Sequence, residues 1–182
     1  MTAIAGIVAR DGVWLAADSA GVSGTHLAHR ADTKVFSLGE IAIAFTSSFR
    51  FGQLLQYQLK APSPPVRHIH RWMSTTFVDA VRACLRTGGW LEKDKEREDA
   101  GTALVAVRRR LFVLEDDLQV AEHVDAFTAE GCGSDLMLGA MAAQDPGLPP
   151  GRRLRQALQI AARYSTGVCG PFRVLFQRAR GR

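Results

Sequence analysis

The spacing of apolar residues changes character four times along this 182-residue chain, and the order of those changes excludes most folds. Residues 2–46 read as strands: Thr2 to Ala9, an Arg10-Asp11-Gly12 turn, Val13 to Asp18, then Thr33 to Phe36 and Ile41 to Thr46 after a polar loop from Ser19 to Asp32. Helical spacing follows. Phe51, Leu54, Leu55 and Leu59 form one stripe on a helix starting near Ser48, and Pro62, Pro64 and Pro65 stop it. A second helix is expected from Val66 to Thr87, ended by Gly88-Gly89. Strands return at Thr102 to Val107, Leu111 to Glu115, Gln119 to Val124 and Ala126 to Glu130. Two further helices, Ser134 to Gln144 and Arg152 to Tyr164, precede a last strand from Pro171 to Gln177. Helices come in pairs and never alternate singly with strands, which argues against a doubly wound parallel sheet. Two antiparallel sheets between two helix pairs, a four-layer αββα sandwich of the α+β class, fit the order.

Composition narrows the class further. With 47% hydrophobic and 23% charged residues, the chain is an ordinary globular one. A chain of this length buries roughly 70% of its unfolded surface, enough for one core. A single domain over 1–182 is expected, with a basic tail at 178–182. The net charge of +5 arises from 23 basic against 18 acidic residues, interspersed. The Arg108-Arg109-Arg110 cluster reads as a hairpin turn, and no aromatic-interleaved patch supports nucleic-acid binding. Cys84, Cys132 and Cys169 are odd in number and form no CxxC pair, so they read as reduced thiols in a cytoplasmic protein. The apolar start lacks a basic leader, and no stretch is long enough to span a bilayer. No cofactor or metal is expected.

Chemistry can sit at the start of the chain. Thr2 is small enough for methionyl aminopeptidase to remove Met1 and expose it as the terminal residue. A terminal threonine unites a hydroxyl nucleophile with an α-amine whose reference pKa, about 7.7–8.0, lets it accept a proton at neutral pH. Asp18 lies sixteen residues beyond Thr2, and Lys34 sixteen beyond Asp18. Only four of the 23 basic residues are lysines, so a lysine at that spacing is informative.

On Thr2, the Ala16-Ala17-Asp18-Ser19 strand end, the Thr33-Lys34-Val35 step and the Gly131-Cys132-Gly133-Ser134 turn, the chain resembles the proteasome β-subunit and HslV family of N-terminal nucleophile hydrolases. The resemblance extends to element order and length, and its propeptide-free HslV-like forms are nearest. It implies a threonine peptidase cleaving peptide bonds through an acyl-enzyme on Thr2. In that scheme Lys34 places a cation beside the hydroxyl and lowers the amine's pKa, and Asp18 pairs with Lys34 and orients it. The oxyanion donor would be a backbone N–H in the Thr46-Ser47-Ser48 turn, taken as Ser47, where the family has a glycine-containing turn. A serine supporting the terminal amine corresponds to Cys132, with Ser134 two residues on, and an aspartate helping that amine falls near Arg163, ahead of Ser165-Thr166-Gly167. A thiol donates a poorer hydrogen bond than a hydroxyl, and arginine accepts none.

The resemblance further implies self-association into rings that enclose the sites, with peptides or unfolded chains as substrates. It admits an AAA+ ATPase unfoldase of the HslU type as partner, for which the chain carries no motif. Two rival readings keep the fold: a structural ring protein without activity, and an amidohydrolase acting on small amides. Pocket-lining positions are expected around Ala20 to Thr25 and Ser47 to Phe51, with His26 and His29 in the loop bordering a cleft. His68 and His70 read as helix-surface residues, Asp116-Asp117 as a turn, and the sign-alternating Lys93 to Asp99 as a solvated connection.

Overall fold

A computed structural model describes residues 2–94 and 97–179. A four-stranded antiparallel sheet has the order β12-β1-β2-β13, built from β1 (Ala3–Ala9), β2 (Gly12–Ala17), β12 (Phe127–Gly131) and β13 (Arg173–Arg178). A five-stranded sheet has the order β11-β10-β9-β6-β5, from β5 (Val35–Leu38), β6 (Ile41–Phe45), β9 (Ala103–Val107), β10 (Arg110–Leu114) and β11 (Val120–Ala121). Period-two alternation divides each strand between two faces. In β6, Ile41, Ile43 and Phe45 join a core with Phe51, Leu54 and Leu55 of α1 (Phe49–Tyr57), whereas Ala42 and Ala44 face the other sheet.

The first core also takes Ile69 of α2 (Ile69–Trp72), Met73 and Phe77 of a π-helical turn (Met73–Phe77), and Val81 and Leu85 of α3 (Val78–Thr87). On the opposite side, Ala3, Ala5 and Ile7 of β1 pack on Met137 and Met141 of α4 (Ser134–Ala143) and on Leu154, Ala157, Leu158 and Ala161 of α5 (Pro150–Tyr164). Between the sheets lie Ile4, Val13, Leu15, Leu104, Leu111 and Val113 with several alanines. The layers are therefore helix pair, sheet, sheet, helix pair, as the sequence order implies.

Three segments differ from the sequence reading. Ser19 to Asp32 is not a plain loop: β3 (Ala20–Ser23) and β4 (His26–His29) form a hairpin apart from both sheets, turning at Gly24 with φ +56°. The second helix starts at Ile69 rather than Val66, because the prolines keep the chain extended and His68 sits at a left-handed φ of +57°. The sign-alternating stretch holds β7 (Glu92–Asp94) and β8 (Arg97–Asp99), paired antiparallel and tied to α3 through Glu98, which accepts from Arg82 at 2.6 Å and Arg86 at 2.5 Å. Gly12 also differs: it lies inside β2, where a Cβ would come within 2.2 Å of the Gln177 carbonyl, so its smallness serves the approach of β13. Of the tail at 178–182, Arg180, Gly181 and Arg182 lie outside the described residues. Among the described residues no helix is long and apolar enough to cross a membrane.

Candidate active site

The site forms where one end of the sandwich opens between the two sheets. β2 ends at Ala17, opposite Ile4 in β1, and the next residue turns its side chain back on the first strand. The Asp18 N–H donates to the Ala3 carbonyl at 3.1 Å, and the Ala3 N–H donates to Asp18 Oδ1 at 3.1 Å. Oδ2 accepts from the Ala20 N–H at 2.9 Å and the Cys169 N–H at 3.3 Å. Lys34, just before β5, extends the other sheet: its carbonyl accepts the Phe45 N–H at 3.0 Å. Its Nζ donates to Asp18 Oδ1 at 2.7 Å and to the Ala20 carbonyl at 2.7 Å.

Both side chains are 0% exposed, so the ion pair bridges the two sheets out of water. Burial pushes the Lys34 ammonium below its ordinary value, and the charge and hydrogen bond of Asp18 oppose that.

Thr2 is buried at the mouth of this arrangement. Its carbonyl accepts the Cys132 N–H at 2.9 Å and the Cys132 Sγ–H at 3.4 Å. Gly131 makes this grip feasible, with φ +95° and a position where a Cβ would stand 2.1 Å from the Thr2 oxygen. Gly133 lets α4 start close by, since a Cβ there would lie 3.0–3.2 Å from Val168, Ala161 and Ala3. Cys132 is exposed and also meets Ser165, whose Oγ lies 3.5 Å from the Cys132 carbonyl and 3.9 Å from Sγ.

Ser134 opens α4 half-buried, and its hydroxyl has no hydrogen-bond partner among the described residues. Arg163 stays on the surface of α5, its guanidinium 5.5 Å from the ring centroid of the exposed Tyr164. Ser165, which ends α5 by donating its N–H to the Ala161 carbonyl at 2.8 Å, is the residue the sequence reading left unassigned. The run of small polar residues after a helix was its only signal.

Across from Thr2 runs the turn after β6. Ser47 adopts φ +70°, a left-handed conformation that favours glycine, and its Oγ accepts the Thr102 N–H at 3.1 Å. Its own N–H has no acceptor among the described residues. Ser48 caps α1, accepting the Arg50 N–H at 3.1 Å. A cavity of about 260 Å³ lies between Thr2, Val22, Phe45, Ser47, Ser48 and Phe49; Val22, Ser47, Ser48 and Phe49 fall in the two segments expected to line a pocket, and Thr2 and Phe45 outside them.

Larger cavities, about 320 Å³ beside Lys60 and Cys84 and about 510 Å³ beside Tyr57 and Arg173, do not reach Thr2. Of the loop histidines, His29 reaches the site's edge, with Nδ1 2.9 Å from the Gly170 carbonyl and 3.5 Å from Cys169 Sγ. Among the described residues no group of three or more His, Cys, Asp or Glu side chains is placed to hold a metal ion.

No protein-family model matches the chain, and no curated protein matches its sequence. Solved structures do match its shape. BPH of Thiobacillus denitrificans superposes with a TM-score of 0.78 at 22% identity, over 98% of this chain and 100% of that one. The same protein in complex with epoxomicin gives 0.80 at 23%, with the same coverage. Eukaryotic HslV from Trypanosoma brucei gives 0.68 at 17%, over 96% of this chain and 98% of that one.

Proposed function

We propose that this chain, which has the proteasome β-subunit/HslV-like fold, is a threonine peptidase whose nucleophile is Thr2. Removal of Met1 makes the Thr2 nitrogen a free α-amine. The amine takes the proton from Oγ1 as Oγ1 attacks the substrate carbonyl carbon, and the Ser47 N–H donates to the oxyanion. The protonated amine then passes its proton to the departing peptide nitrogen, leaving an ester on Oγ1. Water, deprotonated by the same amine, attacks the ester and releases the carboxylic acid, which restores Thr2.

Lys34 supplies positive potential without needing to move, because Asp18 and the Ala20 carbonyl fix its ammonium. Cys132 takes the place of the hydroxyl donor in positioning Thr2, backed by Ser165; Ser134 has no role in this scheme. The observation that carries the reading is the buried Asp18–Lys34 pair, whose carboxylate also holds the N–H of the residue following Thr2. Rings of this subunit enclosing the sites, in the cytoplasm and fed by unfolded chains, belong to the same proposal; an ATPase partner has no motif here to support it.

Intact mass and peptide hydrolysis test the reading together. Loss of Met1, hydrolysis of fluorogenic peptides by the wild type and loss of that activity in Thr2→Ala are expected. Epoxomicin, which BPH binds, should block the wild-type activity. Retention of Met1, or equal rates in wild type and Thr2→Ala, would sink it. The rival of an inactive ring subunit rests on the thiol at Cys132 and the strained φ at Ser47. A processed, ring-forming chain without hydrolysis would favour it.

A further inference from the structure

The turn after β6 is tightest at Ser47. The Ser48 N–H donates to the Thr46 carbonyl at 3.0 Å, two residues back, around a residue at φ +70°. That is the hydrogen bond of a γ-turn with a positive central φ, a rare and strained turn for residues other than glycine.

The turn also interrupts a ladder. β6 and β9 pair antiparallel with Phe45 opposite Ala103, and the next rung begins regularly, with the Thr46 N–H donating to the Thr102 carbonyl at 3.0 Å. A regular rung would return the Thr102 N–H to the Thr46 carbonyl. That carbonyl is taken by Ser48, and the Thr102 N–H donates instead to Ser47 Oγ at 3.1 Å. A side chain thus completes the rung that the backbone gives up by turning.

The far side of this rung is itself held. The Ala100 N–H donates to the Asp116 carbonyl at 2.8 Å, and the Ala100 carbonyl accepts Trp90 Nε1–H at 2.7 Å. Gly101 lies against Phe51 of α1, where a Cβ would stand 3.1 Å from the ring. Ser47 is therefore tied to a fixed strand start while it borders the cavity beside Thr2.

We propose that the Ser47 hydroxyl is a positioning group: by accepting the Thr102 N–H it holds residue 47 at positive φ, and so keeps the N–H of residue 47 aimed at the oxyanion. The inference rests on the reading above, in which that N–H is the oxyanion donor and Thr2 the nucleophile. Without the hydroxyl, an alanine backbone at this φ relaxes toward negative values and turns the peptide away from the cleft. Glycine has no Cβ to oppose the same φ and needs no such tie.

Ser47→Ala and Ser47→Gly, compared with wild type on one fluorogenic peptide, test it. Ser47 is exposed and outside the cores, and urea midpoints taken alongside verify that both variants are folded. Ser47→Ala is expected to lose about tenfold or more in kcat with KM within about threefold, because the donor acts in the transition state. Ser47→Gly is expected to keep kcat within about threefold of wild type. Side-chain size alone predicts the opposite order, since the first variant is nearer to serine. Ser47→Ala as active as wild type, or no more impaired than Ser47→Gly, overturns the inference, as does a loss carried by KM. Absence of any Thr2-dependent hydrolysis in the wild type overturns the reading beneath it, and this inference with it.

Discussion

Asp18 and Lys34 share one ion pair but are not equally dependent on it. Without Lys34, the Asp18 carboxylate keeps three backbone donors, Ala3, Ala20 and Cys169. Without Asp18, a fully buried ammonium keeps the Ala20 carbonyl but loses its counter-charge, and those three N–H groups lose their acceptor. Breaking a buried pair costs about 3–5 kcal/mol, so Asp18→Leu should lose stability at the upper end of that range and Lys34→Met at the lower end. Urea midpoints check the order, and the reverse order would refute the assignment of Asp18 as the hub. Both variants should lose peptide hydrolysis.

At Cys132 the expectation has the opposite sign. Cys132→Ser replaces a weak donor to the Thr2 carbonyl with a stronger one and should raise kcat/KM severalfold, while Cys132→Ala should lower it. Equal rates in all three would remove Cys132 from the site.

Between elements, the connections do the positioning. The β6–α1 turn carries Ser47 facing the cleft and delivers Phe49 one residue after the helix cap. Ser48→Ala removes the cap and should cost about 1 kcal/mol of stability, with a rise in KM as the first turn of α1 loosens. An unchanged unfolding midpoint would count against it. At the end of β12, Gly131→Ala should be far more damaging, since both its φ and its contact with the Thr2 oxygen forbid a Cβ. Thermal unfolding together with the fraction of chains processed at Met1 would show it.

The same scale explains why β3 and β4 escaped the sequence reading. Their only large apolar residues are Val22 and Leu27, the second of them exposed, so alternation leaves almost no trace. In β7 and β8 every residue is charged, so no apolar alternation marks them in the sequence, and Glu98 of β8 pairs with Arg82 and Arg86 of α3.

For the molecule as a whole, pH acts through carboxylates near the open end. Burial, with Glu115 adding to it, pushes Glu130 up to about 7. A raised folded-state value contributes stability that is complete below the ordinary glutamate value of 4.5 and is lost as pH rises toward about 7. Glu130→Gln should therefore gain Tm relative to wild type between pH 5 and pH 8, and a constant difference would contradict the assignment. Lys34 acts in the other direction: its lowered value means that the penalty for burying its charge is relieved at alkaline pH. Assembly belongs to this scale too. Native mass spectrometry should show a closed ring, and a stable monomer would count against enclosed sites.

The four-layer order was readable in the chain because pattern period is a local property: strands alternate, helices repeat, and prolines and glycines mark most of the joins. The spacing of Thr2, Asp18 and Lys34 was readable because one hairpin and one return to the second sheet fix it. Asp18's other donors were not, since Ala20 and Cys169 reach it from segments set by different parts of the fold. Nor was the place of Ser165 beside Cys132, which depends on where α4 begins and α5 ends in space. Local residue chemistry determines which groups can react or pair. Only the packing of the two sheets against each other decides which of them meet, because that contact links residues with no shared local pattern.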